Sequence, residues 1–192
     1  PLVLLPVQVA FLELIIDPAC SIAFESEETD PAVMDQAPRR RGDPLLGAGV
    51  LGIAVLQGLG VLAGVLGVFL WGVSQGWDGG VVRSAAFTAL VAGNLALILT
   101  NRSWRLSALR ALVERRNPVL PWILGAALAL LVLVLGVPVL RDALGFGVLA
   151  PGTGLAAAAA AVAGVTWFEV WKAVGRARAR RAGDHAGATL PH

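Results

Sequence analysis

Long apolar runs dominate the chain. Leu45 to Val73, Val82 to Thr100, Val119 to Leu140 and Ala150 to Val174 are almost wholly apolar, and Leu2 to Phe24 joins them but for Glu13, Asp17 and Pro18. Roughly twenty apolar residues reach across a bilayer core. No water is available there to satisfy backbone groups, so a spanning segment is a helix or part of a closed barrel. Barrel strands alternate apolar and polar residues, and these runs do not. The expected architecture is therefore all-α: a polytopic membrane helix bundle of about five transmembrane helices, the first broken at Pro18. Composition agrees. The 192 residues are 57% hydrophobic and 15% charged, whereas soluble domains carry about a quarter charged residues. A soluble globular enzyme and a disordered chain are excluded. The net charge is only +2, which argues against a nucleic-acid partner.

The arginines order these spans. Arg39, Arg40 and Arg41 lie between the first and second. Arg102, Arg105, Arg110, Arg115 and Arg116 lie between the third and fourth. Lys172 at the end of the fifth, and Arg176, Arg178, Arg180 and Arg181 after it, make the third basic group. Only Arg83 and Arg141 of the 15 cationic residues fall on the alternate sides. Basic residues concentrate on the cytoplasmic side, so the N-terminal end is expected outside and the tail in the cytoplasm. The tryptophans, amphipathic rings that gather at headgroup level, agree. Trp71 and Trp77 flank the outer end of the second span, Trp104 and Trp122 border the inner ends of the third and fourth, and Trp167 and Trp171 close the fifth.

In the second span Gly60, Gly64 and Gly67 recur at helical spacing. Small residues so placed let helix backbones approach closely, and a tight contact inside the bundle is expected. The Ala156–Ala161 run of the fifth span offers a similarly smooth surface. The linker Glu25–Pro44 opens acidic and closes basic, too polar to span and too proline-rich for a long helix. Trp104–Asn117 mixes leucines with arginines as an interfacial helix does. One domain over 1–181 and a flexible tail over 182–192 follow. The chain starts in an apolar run at Pro1 and is read as a piece of a longer protein.

The chemistry concentrates in the first span. Glu13 and Asp17 are four residues apart and so share one helical face. Charged groups at membrane depth are costly and tend to be paired or functional. No Lys or Arg lies within residues 1–26; the alternatives are an ion pair with another helix or an ion site facing the bundle interior. Pro18 has no amide to give the carbonyl of Leu14. A freed carbonyl beside two carboxylates makes an all-oxygen cluster of the kind hard cations take. Interrupted helices at midplane ion sites recur in transporters. Asn94 is the strongly polar residue in the middle of the third span; it is a weaker candidate ligand, and an interhelical hydrogen bond suits it better. Cys20 is the single cysteine, so a disulfide framework and a Cys-based metal site are excluded.

The stretch LLPVQVAFLELIIDPACSIAFESEETDPAVMDQAPRRRGDPLL resembles the sixth transmembrane helix and following cytoplasmic loop of P-type cation-transporting ATPases, most closely the calcium-pumping branch and its bacterial relatives. Pro6, Val7 and Gln8 match the opening of that helix. Glu13 and Asp17 fall on its two cation-binding positions, and Asp30, Met34, Pro38 and Arg39 match the loop. AFTALVAGNLALILTNRS resembles the eighth helix, and TWFEVWKAVGR the tenth with its basic exit. The resemblance implies a C-terminal transmembrane domain, helices six to ten, that supplies carboxylate ligands to a transported cation, Ca²⁺ first. It implies as partners the missing N-terminal helices, the phosphorylation domain reached through loop 25–44, and the lipid bilayer. A plasma membrane, bacterial by the resemblance, is the expected location.

Departures from the pattern matter too. Calcium pumps usually carry asparagine where Glu13 stands and threonine where Ile16 stands, and those with two sites place an acid in the eighth helix. A single site is therefore expected. The chain contains no D-K-T-G-T phosphorylation motif and no nucleotide-binding lysine motif. It holds no cofactor and no catalytic residue of its own; the resemblance implies ATP and Mg²⁺ for the whole pump. Two other readings stay open: the same family moving Mg²⁺, Na⁺ or H⁺, and a free-standing membrane protein with a structural or assembly role.

Overall fold

The computed structural model describes residues 2–26, 47–102 and 119–166. Among them all regular structure is helical: α1 (Pro6–Glu25), α2 (Ala48–Ser74), α3 (Gly79–Arg102), α4 (Leu120–Gly136), α5 (Pro138–Ala143) and α6 (Pro151–Thr166). The first three are long and apolar enough to cross a membrane, and α4 and α6 are shorter apolar helices. The membrane helix bundle expected from the sequence is present.

Two boundaries differ from expectation. The helix does not end at Pro18: α1 runs through it to Glu25. Proline removes one backbone donor, and membrane helices tolerate that loss. The fourth span does divide. Its helix stops at Gly136, Val137 is extended (φ −84°, ψ 114°), and α5 restarts with Pro138. The residue before a proline is pushed from the helical region, and proline suits the first helical position because its missing amide would be unpaired there anyway.

Two tight turns at one end carry the positive-φ residues of the described chain, Gly76 (φ 68°) and Gly145 (φ 69°). Each closes a helix in the same way. Gly76 N–H donates to Val73 and Trp77 N–H to Gly72; Gly145 N–H donates to Asp142 and Phe146 N–H to Arg141. These paired bonds are the Schellman arrangement, in which a left-handed residue, readily glycine, satisfies carbonyls left over at a helix C-terminus. Immediately after the first turn, Asp78 accepts from the Gly80 amide at 2.8 Å and caps α3.

Packing divides into two clusters that share α3. One joins Ile15, Ala19 and Ala23 of α1 to Phe87, Val91 and Leu95 of α3 and Ile123, Ala127 and Leu131 of α4. The other joins Val61, Val65 and Val68 of α2 to Ala85, Ala86 and Ala89 of α3 and Ala157, Ala161 and Val165 of α6. The central window of α3 is 61% buried against 22% for α1 and for α2, so α3 is the axis. Lipid tails are as apolar as leucine, so close van der Waals fit drives such contacts more than removal from water does. The glycine contact expected in α2 forms against α6. A Cβ on Gly64 would lie 3.1 Å from Ala161 Cα, and one on Gly164 only 2.6 Å from the Gly60 carbonyl oxygen. Gly67 takes no part, having open space where a Cβ would stand.

Candidate functional site

Twenty residues of α1 span about 30 Å at 1.5 Å per residue. Glu13 and Asp17 straddle the centre of that length, which puts both near mid-membrane. The buried stripe of the helix is Gln8, Ile15, Ala19 and Ala23. Glu13, Leu14, Asp17, Pro18 and Ser21 are exposed. The spacing that places the two carboxylates on one face holds, but that face points away from the helices of this chain. The expectation that it faces the interior of this bundle is thus corrected: α3 and α4 cover the opposite side of α1. Neither carboxylate is paired with a cationic side chain among the described residues.

The same face carries the remaining elements of the expected site. Leu14 is 67% exposed, and its carbonyl stands opposite the amide that Pro18 lacks. Asn94 is elsewhere: its side-chain amide donates to the Leu90 carbonyl one turn back at 3.0 Å. That bond lies within α3, where a bond between helices was expected. Among the described residues no group of three His, Cys, Asp or Glu side chains comes together. Glu13 and Asp17 stand together on the exposed face of α1 with no third such side chain beside them among the described residues. The linker 25–44 and its residues Asp30, Arg39 and Arg40, the arginines at 105–116 and 176–181, and Trp104, Trp167 and Trp171 lie outside the described residues apart from Glu25 and Ser26.

Three buried polar side chains passed over as sites by sequence reasoning tie the bundle together. Gln8 is wholly buried. Its Oε1 accepts the Leu5 amide at 2.9 Å, and its Nε2 donates to the Leu144 carbonyl at 2.9 Å. Ser84 accepts the Gly147 amide at 3.0 Å, and its hydroxyl lies within hydrogen-bond reach of the Gly147 and Gly80 carbonyls, at 2.9 and 3.0 Å. Gln57 on α2 donates to Asn101 Oδ1 on α3 at 2.9 Å. Polar residues inside an apolar run were the signal available for all three. The first two, with the bond from Arg83 Nε to the Gly145 carbonyl at 3.1 Å, gather the start of α1, the start of α3 and the turn after α5 at one end of the bundle.

The family described as "Cation transporting ATPase, C-terminus" matches residues 1–174. The chain belongs to this family. It is the membrane part of a cation-transporting ATPase and an integral membrane protein. A transported cation and the rest of the pump follow from that membership. The match favours the pump over the free-standing assembly protein left open by the sequence. No curated protein gives a significant match to the chain. In a membrane the two exposed carboxylates carry an energetic cost. An aspartate at the centre of a lipid-exposed helix costs about 3 kcal/mol even on lenient scales, so two ionised carboxylates would cost about 6. That is comparable to the whole stability of a typical domain, about 5–15 kcal/mol.

Proposed function

We propose that the exposed face of α1 packs against membrane helices of the pump outside this chain, and that Glu13 and Asp17 are ligands of the cation it moves. The observation carrying this reading is the placement of two unpaired carboxylates, one turn apart, at mid-membrane on the one face of α1 that its own bundle leaves open. Ca²⁺ is the cation that suits the donors best. It takes six to eight oxygen ligands at about 2.3–2.6 Å in adaptable geometry, drawn from carboxylates and carbonyls. The carboxylates of Glu13 and Asp17 and the carbonyl of Leu14 are such donors, and the remainder would come from the covering helices. The ATPase would draw on ATP and Mg²⁺ through domains beyond this chain, with loop 25–44 meeting the phosphorylation domain. By the arginine distribution, the end of the bundle holding Gln8, Ser84 and Gly147 faces outward, in a bacterial plasma membrane.

The test is phosphoenzyme formation from ATP against cation concentration in the full-length pump. Asp17→Asn should abolish cation-stimulated phosphorylation. Glu13→Gln should keep part of it and change the cation preference, because the amide retains one neutral oxygen donor. Wild-type cation affinity in Asp17→Asn would remove Asp17 from the ligand set and the proposal with it.

A further inference from the structure

Gln8 satisfies two helix ends with one side chain. Its Oε1 takes the Leu5 amide, an N-terminal donor of α1, and its Nε2 reaches the carbonyl of Leu144, the residue that closes α5. Both groups would otherwise be left over at helix termini. The acceptor is stiff. Leu144 lies in the turn fixed by the Gly145 and Phe146 amides; Arg83 holds the next carbonyl; Ser84 holds Gly147. Arg83 and Ser84 belong to α3, so Gln8 couples α1 to the central helix of the bundle. Elsewhere the buried stripe of α1 is Ile15, Ala19 and Ala23. Those contacts are apolar, as is the stacking of Phe11 on Phe87 of α3 at 6.2 Å between ring centroids; they seat α1 on α3 and α4, but apolar attraction is non-directional. The bond to Leu144 adds a fixed direction.

From this we infer that Gln8 is a positioning residue for cation binding: it fixes the rotation of α1 about its own axis and so the direction in which Glu13 and Asp17 point. This rests on the reading of those carboxylates as ligands. At about 100° per residue, Glu13 lies about 140° around the helix from Gln8 and Asp17 about 180°. The lock and the site thus occupy opposite faces, and a change at one cannot touch the other directly. Side-chain tips ride about 6 Å from a helix axis, so a rotation of about 10° moves a carboxylate by about 1 Å. Metal–ligand distances tolerate about 0.2 Å.

The experiment compares the wild-type pump with Gln8→Met, which keeps the volume and removes both bonds. The expected result is a half-saturating Ca²⁺ concentration for phosphoenzyme formation raised about tenfold or more, the scale seen when groups that orient metal ligands are removed. Maximal phosphoenzyme per pump should stay the same. An unchanged half-saturation, whatever the maximum, overturns the inference, because a purely structural role lowers the amount of working pump and leaves its affinity alone. Should Gln8→Met not fold, Gln8→Asn, which keeps the amide but falls one methylene short of Leu144, is read by the same criterion. Failure of both to fold also overturns it, since Gln8 would then be a requirement of the fold. Asp17→Asn measured in parallel separates the two claims: loss there with no shift in the Gln8 variants leaves the ion site standing and refutes the positioning role alone.

Discussion

Replacing Gly164 with alanine tests how closely α2 and α6 are meshed. The new Cβ would lie 2.6 Å from the Gly60 carbonyl oxygen and 3.3 Å from its carbon. Carbon-to-oxygen contacts between close helices run at about 3.3–3.6 Å, so the helices must separate by roughly 0.7 Å. The obstacle is backbone on a neighbouring helix, and no side chain can turn aside to relieve it. A gap of about 0.5–1 Å forfeits a quarter to a half of each contact's attraction, and the contacts at risk include Gly64 against Ala161, packed so closely that a Cβ on Gly64 would stand 3.1 Å from Ala161 Cα. The expected loss is about 1–3 kcal/mol, the usual range for overpacking. Gly67→Ala on α2 is the control, since nothing lies within 4 Å of its Cβ position. There alanine's better helix propensity favours a gain of up to about 1 kcal/mol. Thermal unfolding in detergent, followed by tryptophan fluorescence, reads both variants side by side. Equal stability of the two would mean that glycine at these positions reflects only its abundance in membrane helices, and the packing argument would fall.

Orientation is checked with reporters: one fused after Arg181 should read cytoplasmic and one inserted near Gly79 external, and the reverse pattern would turn the bundle over. Gln57→Leu should cost about 0.5–2 kcal/mol, the range of hydrogen bonds between membrane helices. A double-mutant cycle with Asn101→Leu should return a coupling of that size; zero coupling would show that the bond at 2.9 Å contributes nothing.

The spans were legible because membrane burial demands length and apolarity in a continuous run, and the observed ends of α1, α2 and α3 lie within a few residues of those read from the sequence. The shared face of Glu13 and Asp17 was legible for a similar reason, since four residues are nearly one helical turn. Which way that face points was not. Helical periodicity separates faces by polarity, but α1 is largely apolar on both sides, so only its tertiary contacts with α3, α4 and the Leu144 turn could fix its rotation. The division at Val137 had its signal in Gly136-Val137-Pro138 and was absorbed into an apolar stretch that looked continuous. Gln8 drew notice only as part of a family pattern. Its bond partner is a main-chain carbonyl 136 residues away, and no side-chain pattern announces a carbonyl. Asn94 shows the converse: a polar residue in mid-span turned out to be satisfied by its own helix.

The sharing of α3 between two clusters bears on how the chain is assembled as it emerges from the ribosome. The apolar seam of α1 is built against α3 and α4, and that of α2 against α3 and α6. Within this chain α1 and α2 therefore lack their main packing surfaces until α3 arrives. Insertion of α3 supplies a template for both neighbours at once, and α4 and α6 then complete one side each. Defects in α3 would strand both halves, whereas a defect in α6 would leave the half bearing Glu13 and Asp17 to form.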